Sequence, residues 1–317
     1  MKFDVVVFGS AFVDAYLTSP DFKIVKSDKS PTGVALCEVY GGKGALDKMV
    51  MTTGGGATNV AVALERLGLQ TAAVCCVGRD DWGLFVRKKL RQEGVSRLYV
   101  QQVAEPTSYS TILVSGDGGR SALVYRGASN KLSWQKVEWE KLTPDWFYVS
   151  SLGGDLAMLT KIARHAQKQG IRMALNPGSK EIAAGEKLTT FLPHIEVLLL
   201  NRQEAASLTH HQFASRDEIL KDVAKLGSRV VAVTEGRRGA TLVSGKVKLN
   251  LPAVKAKTIE ETGAGDAFGA GLVAGIIKGF SLEQALKLGL TNGASVTEHF
   301  GPKEGLLFEP EIKERLG

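Results

Sequence analysis

A glycine-rich turn leads into a run of small residues in the last part of the chain, at Thr262-Gly263-Ala264-Gly265-Asp266. Glycine lets the backbone approach a ligand closely, and the free N–H groups at a helix start favour an anion such as a phosphate. Asp266 lies at that start, where a carboxylate would repel an anion. One explanation is that Asp266 takes a proton from a hydroxyl that attacks phosphorus, while the N–H groups stabilise the transferred group. The alternative is that Asp266 only caps the helix.

Composition narrows the choice of ligand. The chain has 317 residues, 44% of them hydrophobic and 23% charged, which is ordinary for a globular protein. Its net charge of +7 favours anionic ligands such as nucleotides or sugar phosphates. Basic runs interleaved with aromatic residues are missing from the sequence, so nucleic acid is the weaker interpretation.

The cysteines and the N-terminal residues bear on the cellular compartment in which the protein works. Cys37, Cys75 and Cys76 are odd in number and lack metal-ligand spacing, which argues against a disulfide framework and a zinc site. Residues 1–8 fit neither a signal peptide nor a membrane span. We therefore expect a cytoplasmic protein with no membrane partner.

The first elements supply candidates for substrate binding. Val5–Phe8 is a short apolar run typical of a strand buried in a parallel sheet. Asp14 follows it closely, and ligands bind at the carboxyl ends of such strands, so Asp14 is a candidate to hold substrate hydroxyls; a turn-capping role is the alternative. Gly54-Gly55-Gly56 opens a predicted helix that ends at Gly68, and Asn59 on that helix could offer its amide to a hydroxyl.

Two segments interrupt the α/β pattern. Strand-like runs at 34–40 and 46–53 flank Gly41-Gly42-Lys43-Gly44, and runs at 109–115 and 121–126 flank a second glycine-containing turn. Two inserted hairpins, at about 34–53 and 109–126, suggest a small β lid over the sheet edge; ordinary surface hairpins are the alternative. Any homodimer is expected to form through this lid.

The second half of the chain alternates strand and helix. This alternation predicts an α/β fold, a mainly parallel sheet with helices on both faces. Repeats, low-complexity tracts and linkers are missing from the sequence, so we expect a single domain over residues 1–317. A dinucleotide-binding dehydrogenase is excluded, because no Gly-x-Gly-x-x-Gly follows the first strand.

Four motifs, read in order, resemble those of the ribokinase-like (PfkB) carbohydrate and nucleoside kinases across nearly the whole chain. They are Gly54–Asn59, Asn201–Glu204, Thr234–Ala240 and Thr262–Asp266. The resemblance implies a ribokinase-like fold, ATP and Mg²⁺ as cofactors, and a small sugar or nucleoside as the acceptor. It also implies residue roles: Asp266 as catalytic base; N–H donors at Gly263, Ala264 and Gly265; substrate contacts at Asp14, Gly55, Gly56 and Asn59; nucleotide contacts at Asn201, Thr234, Gly236, Gly239 and Asn292; and Mg²⁺ ordered by Glu204 with Asn201.

The sequence departs from the family pattern in places. Glu261-Thr262 stands where the family more often has Asp-Thr, and Gly41-Gly42-Lys43-Gly44 lacks the helix pattern that follows such a motif in ribokinases. Arg126, after Tyr125, resembles the arginine with which some members meet the carboxylate of a sugar acid; a solvated arginine at a strand end is the alternative. For Asn292 the alternative is an asparagine in a helix interior with no ligand contact.

Three functions therefore remain open: a kinase of a sugar or nucleoside, a kinase of a sugar acid such as 2-keto-3-deoxygluconate, and a non-catalytic pseudokinase scaffold. Asp266 and Glu204 argue against the scaffold, which has no need of both. The sequence leaves the phosphate donor, ATP or ADP, undecided.

Overall fold

The computed structural model describes residues 2–29, 33–38, 40–116 and 119–316. The strands are β1 (Val5–Phe8), β2 (Phe12–Thr18), β3 (Lys23–Lys26), β4 (Val34–Cys37), β5 (Lys48–Gly54), β6 (Thr71–Val74), β7 (Cys76–Gly78), β8 (Gln101–Val103), β9 (Ser108–Val114), β10 (Arg120–Tyr125), β11 (Trp146–Val149), β12 (Arg172–Leu175), β13 (Val197–Asn201), β14 (Val230–Thr234), β15 (Ala240–Ser244) and β16 (Val247–Leu251). The helices are α1 (Gly56–Arg66), α2 (Asp81–Gln92), α3 (Leu156–Gln169), α4 (Ser179–Ile182), α5 (Glu186–Thr189), α6 (Arg202–Leu208), α7 (Arg216–Val223), α8 (Ala264–Ile277), α9 (Leu282–Thr297) and α10 (Glu309–Leu316).

The main sheet has eight strands in the order β16-β15-β14-β13-β12-β11-β1-β6. Neighbours from β14 to β6 pair parallel, and β15 and β16 add an antiparallel edge. Successive residues of β1 point to opposite faces, so Val5 and Val7 join one apolar cluster and Val6 and Phe8 join the other. Helices α1, α8 and α9 contribute to the first cluster, and α3, α6 and α7 to the second. The predicted α/β class, with helices on both faces of a mainly parallel sheet, is confirmed.

A second sheet contains a strand that the sequence analysis missed. Its order is β10-β9-β2-β5, and β2 lies in the middle, antiparallel to β5 and parallel to β9. Asp14 interrupts the apolar pattern of β2, which is why that segment did not resemble a buried strand. Asp14 therefore lies within a strand, and the alternative that it caps a turn was wrong.

The first predicted hairpin was also wrong. β4 pairs with β3, and β5 pairs with β2, so the glycine turn at 41–44 joins two strands that do not pair with each other. The reason is that β2 offers β5 a buried apolar partner, whereas β3 and β4 are short and mostly exposed. Val39, in the first predicted run, lies outside the described residues.

The second predicted hairpin is confirmed, because β9 and β10 pair antiparallel from Tyr109–Tyr125 to Val114–Arg120. The middle of its turn, Asp117 and Gly118, lies outside the described residues.

Helices α8 and α9 pack closely through glycine. A Cβ built on Gly271 would lie 2.9 Å from the Cα of Gly289, and one built on Gly275 would lie 2.8 Å from the Cα of Ala285. The small residues after Asp266 therefore serve helix packing, and this packing brings the last turns of α9 beside the start of α8. Of the helices formed by the described residues, none combines the length and the apolar character needed to cross a bilayer.

Candidate active site

Helix α8 starts at the glycine-rich turn and leaves donors free. Gly263 is the N-cap residue with φ +85°, and a Cβ there would lie 2.4 Å from a proline side chain, so the turn requires glycine. The N–H of Ala264 donates to the carbonyl of Glu261 at 3.2 Å. The N–H groups of Gly265 and Asp266 have no acceptor among the described residues, as expected for the first turn of a helix. Of the predicted donors, Ala264 is thus already engaged, and the open pair is Gly265 and Asp266.

Asp266 is the third residue of α8 and is half-buried. The cap is Gly263, and the cap position makes no side-chain hydrogen bond, so the capping alternative for Asp266 is wrong. Its Oδ2 accepts from Nδ2 of Asn59 at 2.8 Å. Burial raises the pKa of Asp266 above its ordinary value, and the Asn59 hydrogen bond and the charge of Lys303 oppose that rise. A carboxylate with a raised pKa is a better base than an exposed one.

Lys303 is a site residue that sequence reasoning missed. It is only 5% exposed, and its Nζ donates to the carbonyl of Thr53, to Oγ1 of Thr58 at 3.0 Å and to Oδ1 of Asn59 at 2.5 Å. Burial lowers the pKa of Lys303 to about 7, although nearby carboxylates favour its charged form. A lone lysine between proline and glutamate carries no motif, so no local signal could have found it.

The predicted acceptor residues gather where β5 enters α1. Asp14 is 5% exposed, and burial raises its pKa, with a hydrogen bond to Ser110 and the charge of Lys303 acting against the rise. A Cβ built on Gly54 would lie 1.8 Å from Oδ2 of Asp14. The strand end therefore touches the carboxylate directly, and only glycine fits there.

Gly55 and Gly56 each lie close to a different neighbour, which leaves no room for a side chain. Gly55 has φ +88°, and a Cβ there would lie 2.5 Å from the carbonyl oxygen of Ser10. A Cβ on Gly56 would lie 1.8 Å from Oγ of Ser150 and 3.8 Å from Oδ1 of Asp266. The predicted residues Asp14, Gly55, Gly56 and Asn59 are thus brought together with Asp266.

A cavity of about 710 Å³ lies on the other side of the α8 start. Its size suits a small-molecule ligand. Arg120, Arg237 and Lys255 give it a cationic lining. Its walls also include several predicted residues, namely Thr234, Gly236, Gly239, Ala264 and Gly265.

A buried ion-pair network supports the turn that holds Thr234. The side chain of Glu235 is 3% exposed, and its Oε2 accepts from Nη2 of Arg216 at 2.7 Å. Nη1 of Arg202 lies 3.4 Å from its Oε1. The sequence analysis missed this network, which holds Glu235, the residue after Thr234, in place.

Arg120, at the start of β10, is a second missed residue. Its Nη1 donates to Oε1 of Glu260 at 2.6 Å, and the side chain of Glu260 is 1% exposed. The same Glu260 oxygen accepts from the N–H of Thr262 at 2.7 Å. The β10 hairpin is therefore connected to the loop that leads into α8.

Asn292 does not lie at the cavity, which corrects the predicted adenine contact. It is fully buried, its Nδ2 donates to the carbonyl of Ala267 at 2.8 Å, and its Oδ1 accepts from the N–H of Leu307 at 3.0 Å. Because both ends of the amide are used in holding α8 and α9 to the chain before α10, Asn292 is structural. Its neighbours Gly293 and Ala294 line the cavity instead.

Arg126 is placed outside the cavity lining. Its side chain is exposed and makes no hydrogen bond or ion pair with the described residues, while its backbone carbonyl accepts from Oγ of Ser108 at 2.5 Å. Arg120 is therefore the arginine that β10 directs to the site.

Asn201 and Glu204 form a reciprocal cap at the start of α6. The N–H of Glu204 donates to Oδ1 of Asn201 at 2.9 Å, and the N–H of Asn201 donates to Oε2 of Glu204 at 2.8 Å. Oε1 of Glu204 has no hydrogen-bond partner among the described residues. Burial raises the pKa of Glu204, and its bonds to Asn201 act against that rise.

The residues at the site could hold Mg²⁺ through one carboxylate, with waters and phosphates as its other ligands. The described residues contain no cluster of three or more acidic, histidine or cysteine ligands. Mg²⁺ commonly binds through one or two carboxylates, with waters and phosphates completing the shell. A single available oxygen on Glu204 is compatible with that arrangement.

The chain is similar to known carbohydrate and nucleoside kinases. Residues 2–307 match the model of the pfkB family of carbohydrate kinases. The chain is 28% identical over 323 residues to a ribokinase of Haemophilus influenzae, covering 100% of this chain and 99% of the relative. It is 27% identical over 270 residues to a nucleoside kinase of Methanocaldococcus jannaschii, covering 83% and 85% of the two chains.

Among solved structures, a putative ribokinase II from E. coli in complex with ATP and Mg²⁺ superposes with a TM-score of 0.81 at 20% identity. That likeness covers 100% of this chain and 99% of the other, and it supports the fold. The family match spans nearly the whole chain, so the chain belongs to the pfkB family of carbohydrate kinases and is a phosphotransferase that acts on an alcohol group.

Proposed function

We propose that this kinase transfers the γ-phosphoryl group of ATP to an alcohol of a sugar or nucleoside, with Asp266 as the general base. The observation that carries the proposal is the placement of Asp266. Its carboxylate lies beside Asn59 and the glycines of the acceptor side, while the N–H groups of Asp266 and Gly265 stay open at the start of α8.

In the proposed reaction, the carboxylate of Asp266 removes the proton of the acceptor hydroxyl as that oxygen attacks the γ-phosphorus. A new P–O bond forms, the bond from the γ-phosphorus to the oxygen bridging it to the β-phosphate breaks, and ADP leaves with that electron pair. The open N–H groups stabilise negative charge on the transferred group. Catalysis of this kind depends mainly on positioning and charge stabilisation.

The nucleotide is proposed to lie in the 710 Å³ cavity. Arg237 and Lys255 would meet phosphate charge, and the glycine turn at Gly236 and Gly239 lets the backbone come close to the ligand. Glu204 would hold Mg²⁺ and its waters beside the phosphates, with Asn201 fixing the carboxylate through the cap. When bound, the ion neutralises charge on the phosphate oxygens.

Glu204→Gln tests that assignment while keeping the cap, because the amide oxygen can still accept from the N–H of Asn201. We expect the Mg²⁺ concentration for half-maximal rate to rise about 10-fold, since a charged oxygen ligand is lost. Glu311→Gln is the matched control, because Glu311 accepts from the N–H of Phe308 in the same way at α10. Equal Mg²⁺ titrations of the wild type and Glu204→Gln would show that Glu204 only caps α6.

The acceptor is proposed to be a neutral sugar or nucleoside. The buried carboxylate of Asp14 is suited to accept hydrogen bonds from hydroxyls, and relatives named ribokinase and nucleoside kinase align along most of the chain. A sugar acid is the less favoured acceptor, because the side chain of Arg126 is exposed and makes no ion pair with the described residues. A scaffold role is not favoured either, since Asp266 could act as a base and the open N–H groups could stabilise a transferred phosphoryl group.

A substrate panel tests the function. ATP or ADP with Mg²⁺ would be offered with ribose, adenosine, inosine and 2-keto-3-deoxygluconate, and ADP or AMP release measured. We expect turnover with ATP and at least one neutral polyol acceptor. Turnover confined to the sugar acid would reject the proposed acceptor class, and no turnover with a folded protein would favour the scaffold.

We also propose a single domain in which the four-stranded sheet covers the acceptor, and self-association through its edge. All six residues of the edge strand β10 are exposed, with Leu123 at 66% and Tyr125 at 52%. An exposed apolar edge strand is a template for pairing with another chain.

Leu123→Lys should therefore dissociate a dimer by placing charge on that edge. Sedimentation equilibrium of the wild type should show a two-chain species, and the variant a single chain at the same concentration. Leu98→Lys is the control, because Leu98 is 69% exposed outside the four-stranded sheet. A wild type that sediments as one chain at all concentrations would reject this edge as an interface.

A further inference from the structure

The buried ammonium of Lys303 determines how Asn59 is oriented. A lysine ammonium has three donors and no acceptor. All three are used, by the carbonyl of Thr53, Oγ1 of Thr58 and Oδ1 of Asn59. The oxygen of the Asn59 amide must therefore face Lys303, and its NH₂ group must face Asp266, where the 2.8 Å bond is found.

A flipped Asn59 would be doubly unfavourable. Its NH₂ group would face the ammonium of Lys303, and its carbonyl oxygen would face the carboxylate of Asp266. Both contacts are repulsive. The one to Lys303 is buried and the one to Asp266 is partly buried, so their electrostatic interactions are stronger than in water. The amide of Asn59 therefore links the position of Lys303 to that of the Asp266 carboxylate.

Charged groups from several elements face this chain of contacts. Lys303 is influenced by Asp14 on β2, Asp266 on α8, Glu93 after α2 and Arg66 on α1. The first three favour its charged form, and Arg66 disfavours it.

On the other side, Asp266 is influenced by Asn59 and Lys303, and its own charge acts on the buried hydroxyl of Tyr148. Lys303 is the one cation among these partners of Asp266 in the described part of the chain.

We propose that Lys303 is a positioning residue, whose ammonium fixes the amide of Asn59 and so holds Asp266 ionised and aimed at the acceptor hydroxyl. This rests on the proposed function only in taking Asp266 as the base. It assigns to the segment after α9 a part in catalysis that no motif of the sequence indicates.

Lys303→Met is the first test, because methionine keeps the side-chain length and removes the charge. Loss of the cation favours the protonated form of Asp266, so the acid limb of kcat against pH should move to higher pH. We expect kcat to fall about 10-fold or more on the acid limb and the loss to shrink as the pH rises. Lys278→Met is the matched control, since Lys278 pairs with Glu309 at the far end of α8; its pH profile should equal that of the wild type.

A substrate-free measurement separates this proposal from the proposed function. The carboxyl ¹³C signal of Asp266, assigned by its loss in Asp266→Asn, should titrate at higher pH in Lys303→Met than in the wild type. This result stands whether or not the substrate panel gives turnover. A pH-independent loss of kcat, or an unchanged ¹³C midpoint, would overturn the role of Lys303.

If Lys303→Met does not fold, the variant Asp266→Asn tests the same interaction from the other partner. Linkage requires that Asp266→Asn, which preserves shape, lowers the pH at which Lys303 titrates, because an anionic partner is lost. The ¹⁵Nζ signal of labelled lysine reports that midpoint. A midpoint identical to the wild type would overturn the proposal.

Discussion

Asp266→Asn should lower kcat by about 100-fold or more while leaving the fold and nucleotide binding intact. Asparagine matches the shape of aspartate but cannot take the hydroxyl proton. Because burial raises the pKa of Asp266, the wild-type rate should fall as the pH drops through a value above the ordinary pKa of an aspartate. The variant should lose that acid limb.

The measurements are kcat against pH and nucleotide affinity by calorimetry. Glu261→Gln is the control, because Glu261 lines the cavity but its exposed carboxylate is not proposed as a base. If Asp266→Asn kept near-wild-type turnover, Asp266 would not be the base, and the open N–H groups would have to act with another acceptor of the proton.

The parts of the fold that sequence predicted are those with a local signal. β1, β11 and β14 are continuous apolar runs buried on both faces of the main sheet, so composition alone marks them as strands. The turn before α8 could be recognised because its glycines are consecutive and the acid follows at once. In each case the information lies within about ten residues.

The parts that were missed depend on distant contacts. β2 is buried between β5 and β9, yet Asp14 in its middle conceals the strand pattern. Lys303 reaches Asn59 across 244 positions of sequence, and Arg120 reaches Glu260 across 140. Such pairs are set by the way the sheets and helices meet, so neither residue type nor spacing predicts them.

One functional prediction failed for a related reason. The resemblance to the kinase family implied a ligand contact for both Asn292 and Arg126. The amide of Asn292 is used in packing between α8 and the chain before α10. The acceptor contact of Arg126 stays a prediction, because its exposed side chain is absent only from the lining of the cavity proposed for the nucleotide. A polar side chain in a helix interior or at a strand end can either bind a ligand or form hydrogen bonds within the protein. Only the surrounding structure determines which of the two occurs.

Gly54→Ala should raise the acceptor KM about 10- to 100-fold with little change in nucleotide KM. A Cβ at this strand end would lie 1.8 Å from Oδ2 and 2.6 Å from Cγ of Asp14. The carboxylate must therefore move, and because Asp14 is 5% exposed it has little room in which to do so. The cavity proposed for the nucleotide is lined by other residues.

Gly116→Ala is the control, because a Cβ there meets nothing within 4 Å and both KM values should stay at the wild-type level. A double-mutant cycle gives the sharper result. If Gly54→Ala acts by displacing Asp14, it should cost little more in an Asp14→Ser background, since the displaced group is already gone. Additive effects on acceptor KM would mean that Gly54→Ala disturbs the entry into α1 instead. An unchanged acceptor KM in both single variants would remove Asp14 from the acceptor site.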